Sequence, residues 1–481
     1  MIGRKKEIDE LMDLYQNNEA ELVVIYGRRR VGKTYFVNQC LKEKFAFRHA
    51  GLSPIEDENE TNYDRPLKRQ LKHFYKSLQD YGLSDNNTMP EDWLDAFYLL
   101  IQLLKSKDTN NRMVVFLDEL PWLDTPKSGF ITAFEGFWNN WGCHNDNLLL
   151  IVCGSSTSWV MDKLINNHGG LYDRVTYEIK MSPFTLAECE EYLKERKVKL
   201  SRYDIVCAYM IVGGIPYYLR YFKRGYSLSQ NIDHLFFSQT KKLRDEFSRM
   251  FHSIFAKPKM MMDIVKALSE RNSGLTRAEI TEKTHYSGGG TLTKALKSLI
   301  AEDFIIKYYP YGHGKKTAYY KLIDPFCMFY IKFVEGRDSL DQYFWIQNQT
   351  SQSIVSWRGF AFENVCFNHI EKIKSALGIS GINTKHSTWS KREDDEAGTQ
   401  IDMIIERDDN VVNLCEMKFY SNDFAITKDY HRVLINRRSL LENKLPKKKI
   451  VHNTLITTYG LKYNEYSSFF DNVITLDALF E

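Results

Sequence analysis

The sequence of 481 residues has no apolar run long enough to cross a membrane, since its longest apolar stretches have the length of single strands. Its opening segment, MIGRKKEIDELMDLY, is a charged amphipathic pattern without the apolar core of a signal peptide. The 65 Lys and Arg are nearly balanced by 62 Asp and Glu, so the net charge neither requires nor excludes a nucleic-acid partner. These absences predict a cytoplasmic protein without a membrane segment.

Cysteine pairs with the CxxC spacing of zinc and redox sites are also absent. The eight cysteines are scattered, and several of them lie inside apolar runs. Buried free thiols in a reducing compartment explain this pattern better than zinc ligands or disulfides. The cysteines are Cys40, Cys143, Cys153, Cys189, Cys207, Cys327, Cys366 and Cys415.

Three apolar segments of strand length, 21–26, 113–120 and 147–156, alternate with amphipathic helix patterns in the first half of the chain. Fully apolar strands that alternate with helices are typical of a parallel sheet covered on both faces. The sequence therefore predicts an α/β domain over residues 1–240.

The pattern changes after this domain. Residues 241–325 contain three short helix patterns and two strand-like runs around a glycine-bearing turn, which predicts a winged helix-turn-helix. Within it, Thr276 and Glu279 have the spacing of a helix-capping box. The aromatic-rich segment 326–353 is expected to be a helical connector. Residues 354–481 combine a helix with several strands and predict a small α/β domain.

The segment GRRRVGKT has the spacing GxxxxGK[ST] and follows the first predicted strand directly. Glycine at Gly27 and Gly32 lets the backbone approach phosphate, and the loop amides and the helix N-terminus then face the negative charge. Lys33 adds a positive charge at the β- and γ-phosphates, and Thr34 supplies a hydroxyl for Mg²⁺. The sequence therefore predicts a site for ATP and Mg²⁺, whose loop also contains Arg28, Arg29, Arg30 and Val31.

Polar residues at the ends of the other two predicted strands complete this nucleotide site. Asp118 is expected to hold the magnesium shell, and Glu119 is expected to polarise the attacking water as a general base. Ser155, after the third strand, is predicted to sense the γ-phosphate. Arg174 is predicted to be an arginine finger that stabilises transition-state charge, from its own chain or a neighbouring one. A surface salt bridge is the alternative for Arg174.

The segments IGRKKEIDEL, GRRRVGKT, FLDELPWL and GGIPYYL resemble the archaeal-type ATPases of the AAA+ superfamily, close to the STAND clade. The resemblance covers about 1–240. It implies that Gly3 and Arg4 line the nucleotide site near the adenine. It also implies that Gly213, Gly214 and Pro216 lie where the second sensor of these ATPases is found, although a simple helix break is the alternative.

Positive charge is concentrated in the predicted winged helix. Residues 241–321 contain sixteen Lys or Arg against eight Asp or Glu. Such a basic face can bind DNA phosphates without reading sequence, and an interaction or lid module is the alternative. The lysines on its third helix and its wing are Lys294, Lys297, Lys307, Lys315 and Lys316.

Two predicted strands near the C-terminus carry charged residues inside apolar runs: Asp402 in QIDMIIER, and Glu416 with Lys418 in LCEMKFY. Glu416 and Lys418 are two residues apart and therefore project from the same face of a strand. Asp402 and Glu416 can bind Mg²⁺ through oxygen, and a neighbouring lysine can position a water for phosphodiester hydrolysis. Glu363 on the preceding helix can complete this site, whereas an ion pair in a degenerate site is the alternative.

The pattern GFAFE, QIDMIIE and LCEMK resembles the PD-(D/E)xK nuclease superfamily, and more closely the C-terminal domain of uncharacterised function that accompanies archaeal-type ATPases. The resemblance covers about 354–460. It implies a restriction-endonuclease-like fold in which Asp402, Glu416 and Lys418 match the core motif and Glu363 matches the acidic residue of the helix.

These patterns together predict a P-loop ATPase followed by a winged helix and a nuclease-like domain. The first hypothesis is an ATP-regulated nuclease that binds DNA. The second is a signalling switch whose C-terminal domain is an inactive binding module, and the third is an adaptor with a vestigial nucleotide site. The candidate partners are ATP, DNA, and either further copies of the chain or a partner protein.

Overall fold

The computed structural model of this chain describes residues 2–53, 64–107, 111–166, 169–239, 242–309, 317–337, 341–391 and 399–481. The chain packs as two compact units. The first ends at Pro183 and also takes in His252–Ala256, and the second comprises Phe184–Phe251 and Lys257–Glu481. Among the described helices, none combines the length and the apolar character needed to span a membrane.

The first unit is built on a parallel five-stranded sheet with the order β2-β3-β4-β1-β5. Strands β1, β3 and β4 are apolar and almost entirely buried, because helices cover both faces of the sheet. The predicted parallel α/β fold is confirmed. The strands are β1 (Glu21–Tyr26), β2 (Phe45–Ala50), β3 (Met113–Asp118), β4 (Leu148–Gly154) and β5 (Tyr177–Lys180).

Seven helices of the first unit connect these strands. A large buried cluster contains Trp93, Phe97, Phe130 and Phe134, which pack edge to face or tilted between two of the helices. The helices are α1 (Lys5–Gln16), α2 (Lys33–Leu41), α3 (Asp64–Asp80), α4 (Trp93–Ser106), α5 (Leu120–Leu123), α6 (Phe130–Asn140) and α7 (Thr157–Val160), which continues as a π-helix over Met161–Ile165.

The second unit begins with helices that the sequence placed in the ATPase domain, 1–240. Helix α9 is buried along most of its length. The helices are α8 (Leu186–Glu195), α9 (Arg202–Val212), α10 (Pro216–Leu219), α11 (Leu228–Ile232) and α12 (Glu246–Ile254), with a π-helix over Asp233–Phe237.

Three helices and a small antiparallel sheet follow. The sheet has the order β6-β8-β7. At the start of α14, Thr276 accepts a hydrogen bond from the Glu279 backbone N–H while the Glu279 carboxylate accepts one from the Thr276 N–H, so the predicted capping box is confirmed. The elements are α13 (Pro258–Ser269), β6 (Leu275–Thr276), α14 (Arg277–Thr284), α15 (Gly290–Ala301), β7 (Ile305–Tyr308) and β8 (Tyr319–Leu322).

The rest of the second unit contains a mixed five-stranded sheet with the order β13-β12-β11-β10-β9. Strands β9 to β11 are antiparallel neighbours, and β12 and β13 add in parallel. The elements are α16 (Pro325–Phe329) with a π-helix over Tyr330–Val334, α17 (Phe344–Asn348), α18 (Gln352–Asn368), α19 (Ile370–Ala376), β9 (Thr384–Lys391), β10 (Thr399–Arg407), β11 (Val411–Lys418), α20 (Lys428–Glu442), β12 (Ile450–Thr457) and β13 (Asn472–Ile474).

All eight cysteines are free thiols, as the sequence predicted. Six are buried, and Cys40 and Cys143 are half-buried. Burial raises the pKa of the Cys40 thiol to about 11, so even this less enclosed sulfur stays protonated near neutral pH.

Candidate functional sites

The strand order gathers the predicted nucleotide-binding residues at one edge of the first sheet. Strand β4 lies between β1 and β3, and all three are parallel, so their carboxyl ends meet at this edge. The loop that begins at Gly27 follows β1, Asp118 ends β3, and Ser155 follows β4. Residues far apart in the sequence therefore lie together at the carboxyl edge of the sheet.

The loop between β1 and α2 depends on two glycines in unusual conformations. Gly27 has φ = 134°, and a Cβ at this position would lie 2.2 Å from the Met181 carbonyl oxygen. Gly32 has φ = 97° and is the N-cap of α2, whose first residue is Lys33. The loop thus delivers the chain into the N-terminus of a helix, where backbone amides can bind an anion.

The Lys33 side chain folds back over this loop. Its ammonium group donates to the carbonyl oxygens of Gly27 at 2.7 Å and Arg28 at 3.1 Å, and the residue is 6% exposed. Both of these acceptors are neutral carbonyls. Within the described residues Lys33 contacts no carboxylate, so no ion pair compensates its positive charge. This arrangement is suited to an anion that lies in the loop.

A chain of hydrogen bonds connects the three strand ends. The Thr34 hydroxyl donates to Asp118 Oδ2 at 2.7 Å, and the other oxygen of Asp118 accepts from the Glu119 N–H at 3.0 Å. The Glu119 carboxylate in turn accepts from the Ser155 hydroxyl at 2.6 Å and its N–H at 3.2 Å. Burial raises the pKa of Asp118, and the bond from Thr34 opposes that shift.

Gly3 and Arg4 lie beside the start of the loop. Both have a positive φ, near 60°, which turns the chain just before α1. The buried Arg4 guanidinium donates to the Ser182 carbonyl oxygen and lies 3.6 Å from the Glu7 carboxylate. Ser182 is the neighbour of Met181, which contacts Gly27, so the structure brings the opening segment to the predicted site.

The four remaining loop residues have different environments. Arg28 and Val31 are buried, at 3% and 2% exposure. The Arg29 guanidinium lies 5.8 Å from the centre of the Trp122 ring, and Arg30 has φ = 72°. The burial of Arg28 and Val31 anchors the loop to the rest of the first unit.

Arg174 lies at the opposite edge of the sheet. The Thr176 N–H donates to the Leu22 carbonyl, so Arg174, two residues earlier, is beside the amino end of β1. The loop starts at the other end of this six-residue strand, roughly 20 Å away. Arg174 is exposed, and the structure does not bring it to the loop of its own chain. Its action on a neighbouring chain stays a prediction.

The four charged residues predicted near the C-terminus lie together in the second unit. Asp402 is on β10, Glu416 and Lys418 are on β11, and Glu363 is on α18, which packs on β11. Lys418 Nζ lies 2.6 Å from Glu416 Oε1, and the Asp402 carboxylate accepts from the Met417 N–H at 3.0 Å. Glu416 is completely buried.

The electrostatics of this cluster follow from burial and from its concentrated negative charge. Burial, together with the neighbouring Asp402, raises the pKa of Glu363 to about 8. Burial, together with Glu416, raises the pKa of Asp402 to about 6. Burial also tends to raise the pKa of Glu416. The positive charges of Lys418 and Arg437 outweigh the effect of burial, so the pKa of Glu416 is lowered. Glu416 is therefore the most acidic of the three carboxyl groups.

Two partners of Glu416 were not foreseen. Tyr430 and Arg437 on α20 both reach its carboxylate; the tyrosine hydroxyl donates to Oε1, and Arg437 Nη1 lies 2.6 Å from Oε2. They are seven residues apart, which places them on one face of a helix two turns apart. That spacing was the available signal. Across the described residues, no group of three or more His, Cys, Asp or Glu is arranged to hold a metal ion.

A third unforeseen residue, Lys321, comes from β8 of the three-stranded sheet. It is 6% exposed, and its amine lies 5.5 Å from the centre of the Phe367 ring. Burial lowers its pKa, while Glu363 and Asp402 are near enough to oppose the shift. No pattern in the sequence marks this position, because Lys321 belongs to a strand that is predicted to form the exposed wing.

Three of the five predicted basic residues lie on the surface. Lys294 and Lys297 are exposed on α15, and Lys307 is exposed on β7 with its amine 5.6 Å from the Tyr309 ring centre. Lys315 and Lys316 lie outside the described residues.

The first part of the chain is similar to a known family of domains. Residues 1–222 match the family model described as "ATPase domain predominantly from Archaea". An uncharacterised protein of Methanocaldococcus jannaschii is 25% identical over 450 residues, which cover 92% of each chain. An uncharacterised ATP-binding protein of the same organism is 24% identical over 258 residues, 44% of this chain and 70% of that protein.

Solved structures include a similar chain. The Walker-type ATPase of Pyrococcus abyssi is 18% identical, with a TM-score of 0.44; the superposition covers 69% of this chain and 96% of that one.

Proposed function

Because residues 1–222 match the family model described as "ATPase domain predominantly from Archaea", we propose that the loop 27–34 binds ATP together with Mg²⁺ and that this part of the chain hydrolyses it. The observation that supports the proposal is the hydrogen-bonded series Thr34, Asp118, Glu119 and Ser155 along three adjacent strand ends. A hydroxyl and a carboxylate are the hard oxygen ligands that Mg²⁺ prefers, so the residues present fit this ion.

The proposed roles follow from these contacts. Lys33 exchanges its two carbonyl partners for phosphate oxygens, and the amides of the loop bind the same phosphates. Thr34 and Asp118 would hold Mg²⁺, which neutralises phosphate charge when bound. Glu119 orients the attacking water. Ser155 holds one oxygen of the Glu119 carboxylate, so that the other carboxylate oxygen is directed toward the water. Gly3 and Arg4 border the nucleotide beside the loop.

The test compares nucleotide binding and hydrolysis in matched variants. Lys33→Ala should lose ATP binding by more than tenfold, whereas Lys42→Ala, which removes an exposed lysine at the end of the same helix, should leave it unchanged. Glu119→Gln should keep binding and lose roughly 10²-fold or more of the hydrolysis rate. Unaltered ATP binding by Lys33→Ala would contradict the proposed site.

For the second unit we propose a Mg²⁺-dependent phosphodiesterase of the PD-(D/E)xK type. The supporting observation is the convergence of Glu363, Asp402, Glu416 and Lys418 in one buried cluster. Asp402 and Glu363 can offer carboxylate oxygens to the ion, and a substrate phosphate and water would complete its shell. Lys418, held against Glu416, would position the attacking water and stabilise charge on the phosphate.

The contacts of Glu416 also favour a second candidate, an ATP-dependent switch whose C-terminal domain binds without cleaving. Both oxygens of Glu416 are occupied, one by Lys418 and Tyr430 and the other by Arg437. Glu416 can therefore ligate a metal only after releasing one of these partners. In this function ATP is retained and hydrolysed slowly, and binding alone sets the state.

Cleavage assays separate the two candidates. Plasmid, single-stranded DNA and RNA are incubated with Mg²⁺ and the wild-type chain, Lys418→Ala, or Lys462→Ala as an exposed-lysine control. Cleavage by the wild type and the control but not by Lys418→Ala supports the phosphodiesterase. Absence of cleavage on every substrate rejects it and favours the switch.

We further propose that 257–322 is a winged helix that contacts DNA phosphates through Lys294, Lys297 and Lys307. Its three helices, small antiparallel sheet and exposed lysines support this. The slope of log affinity against log salt should fall by about 0.9 for each lysine changed to alanine that contacts phosphate. An unchanged slope in the triple variant would exclude the contact.

A further inference from the structure

A cavity inside the second unit is lined in part by Lys321, which lies near Glu363 and Asp402 of the carboxylate cluster. Its volume is about 520 Å³, within the range of small-molecule sites. It is bounded by the end of α13, strand β8, the π-helix after α16, and the first half of α18. The residues that matter below are Arg271, Lys321, Lys332, Trp357, Phe360 and Asn364.

Lys321 is a buried cation that has no close partner. It is 6% exposed and lines the cavity, yet within the described residues it donates no hydrogen bond and no carboxylate lies within 4 Å of its amine. Two other lining residues carry unsatisfied polar atoms: among described atoms, Trp357 Nε1 and Asn364 Oδ1 have no hydrogen-bond partner, although these residues are 7% and 2% exposed. Buried polar groups are normally paired, so this group indicates a ligand.

The charge of the lining favours an anion. The lining contains Arg271, Lys321 and Lys332 against one acidic residue, Glu270. Glu270 lies 2.5 Å from Lys283 and Arg271 lies 2.6 Å from Glu279, so within the described residues Lys321 and Lys332 are the lining cations outside an ion pair. The cavity also meets the N-terminal end of α18, a seventeen-residue helix, where Ser353 and Ser356 add hydroxyl groups. The partial positive charge of a helix N-terminus attracts an anion.

The cavity is too large for an isolated phosphate and has an aromatic wall. Phe360 is 39% exposed, which is unusual for a phenylalanine that follows a buried tryptophan on the same helix by three residues. Trp357 and Phe360 therefore offer apolar faces next to the basic end of the cavity. An aromatic base can stack on such a face.

We propose that this cavity binds a mononucleotide, with its phosphate directed to Lys321 and the start of α18 and its base against Phe360. This site lies outside the loop 27–34, so its occupation does not depend on the proposed ATPase activity.

The test uses the full chain with Lys33→Ala, which silences the loop site, and titrates adenosine 5′-monophosphate by calorimetry. One molecule per chain should bind, and inorganic phosphate should bind at least tenfold more weakly. Adding Lys321→Met should weaken the nucleotide at least tenfold, while adding Lys462→Met, an exposed lysine of the same unit, should have no effect.

Phe360→Ala provides a second variant whose side chain is partly exposed and whose folding is not at risk. It should weaken the nucleotide several-fold and leave phosphate binding unchanged. The proposal is overturned if millimolar nucleotide does not bind, if Lys321→Met binds like Lys462→Met, or if phosphate binds as tightly as the nucleotide.

Discussion

Alanine at Gly27 should destabilise the first unit more than alanine at Gly32, because only one of the two positions is enclosed. Both glycines have a positive φ, 134° and 97°, so both variants carry a backbone penalty of roughly 1–2 kcal/mol. At Gly27 the new Cβ would also lie 2.2 Å from the Met181 carbonyl oxygen. At Gly32, no described atom lies within 4 Å of a Cβ.

The overlap at Gly27 cannot be relieved easily. Met181 directly follows β5, and its N–H donates to the carbonyl oxygen of Tyr26, the last residue of β1, at 2.8 Å. The clashing carbonyl therefore belongs to a residue whose backbone is already hydrogen-bonded to β1. Overlap that forces backbone to shift adds roughly 1–3 kcal/mol. We therefore expect losses of roughly 2–5 kcal/mol for Gly27→Ala and roughly 1–2 kcal/mol for Gly32→Ala.

Calorimetry without nucleotide measures this difference. The transition of the first unit is the one that added ATP and Mg²⁺ raise in the wild type. For a domain of this size, 1 kcal/mol corresponds to roughly 2–4 °C in Tm. Gly32→Ala should lower that Tm by a few degrees, and Gly27→Ala should lower it about twice as far or more. Equal shifts for the two variants would refute the reasoning.

Three further predictions concern other contacts. Thr34→Val should weaken ATP binding when Mg²⁺ is present and not when it is chelated, whereas Thr34→Ser should behave as wild type; equal effects with and without Mg²⁺ would remove Thr34 from the metal shell. Burial, assisted by His73, lowers the pKa of His49 to about 3, so the folded state leaves it neutral while the unfolded chain takes up a proton below about 6.5. Stability of the first unit should therefore fall by roughly 2 kcal/mol as the pH is lowered from 8 to 5, and urea unfolding of His49→Gln should lack this component. Arg437→Met should destabilise the second unit by roughly 1–3 kcal/mol because it leaves part of a buried carboxylate unpaired, whereas the neighbouring Arg438→Met, which breaks an exposed pair with Glu442, should have an effect below about 0.5 kcal/mol in the same denaturant assay.

The positions of the proposed nucleotide-binding residues were predictable because their pattern is local. A buried strand, a glycine loop and a helix start follow one another within the segment 21–34, and Asp118 and Ser155 are marked as the ends of equally apolar strands. The remaining step is that these three strands are neighbours in the sheet. It is expected because parallel sheets bind their ligands at the carboxyl ends of the strands, where such polar residues lie together.

Arg174 shows where this reasoning stops. Its sequence context indicates a polar turn before a strand, but the direction in which that strand enters the sheet decides which edge the turn occupies. Strand β5 is parallel to β1, so the turn before it lies at the amino edge. Nothing within 169–180 reveals this, because strand direction depends on the path of the whole connection.

The sequence also did not reveal which helices pack against each other when they are far apart along the chain. The apolar character of α9 predicted burial but did not identify its partners, which are α16 and α18. Lys321 lies in a short strand with Tyr319 and Tyr320, and the sequence could not tell which of its two faces is covered. The capping box at Thr276 was predictable because all its atoms belong to four consecutive residues.

The contact between Met181 and Gly27 has a mechanical consequence. Met181 and Ser182 are held by the loop on one side and by Arg4 on the other, and the chain leaves the first unit at Pro183, immediately after them. A ligand that changed the conformation of the glycine turn would therefore also displace the backbone at the point where the polypeptide leaves the first unit.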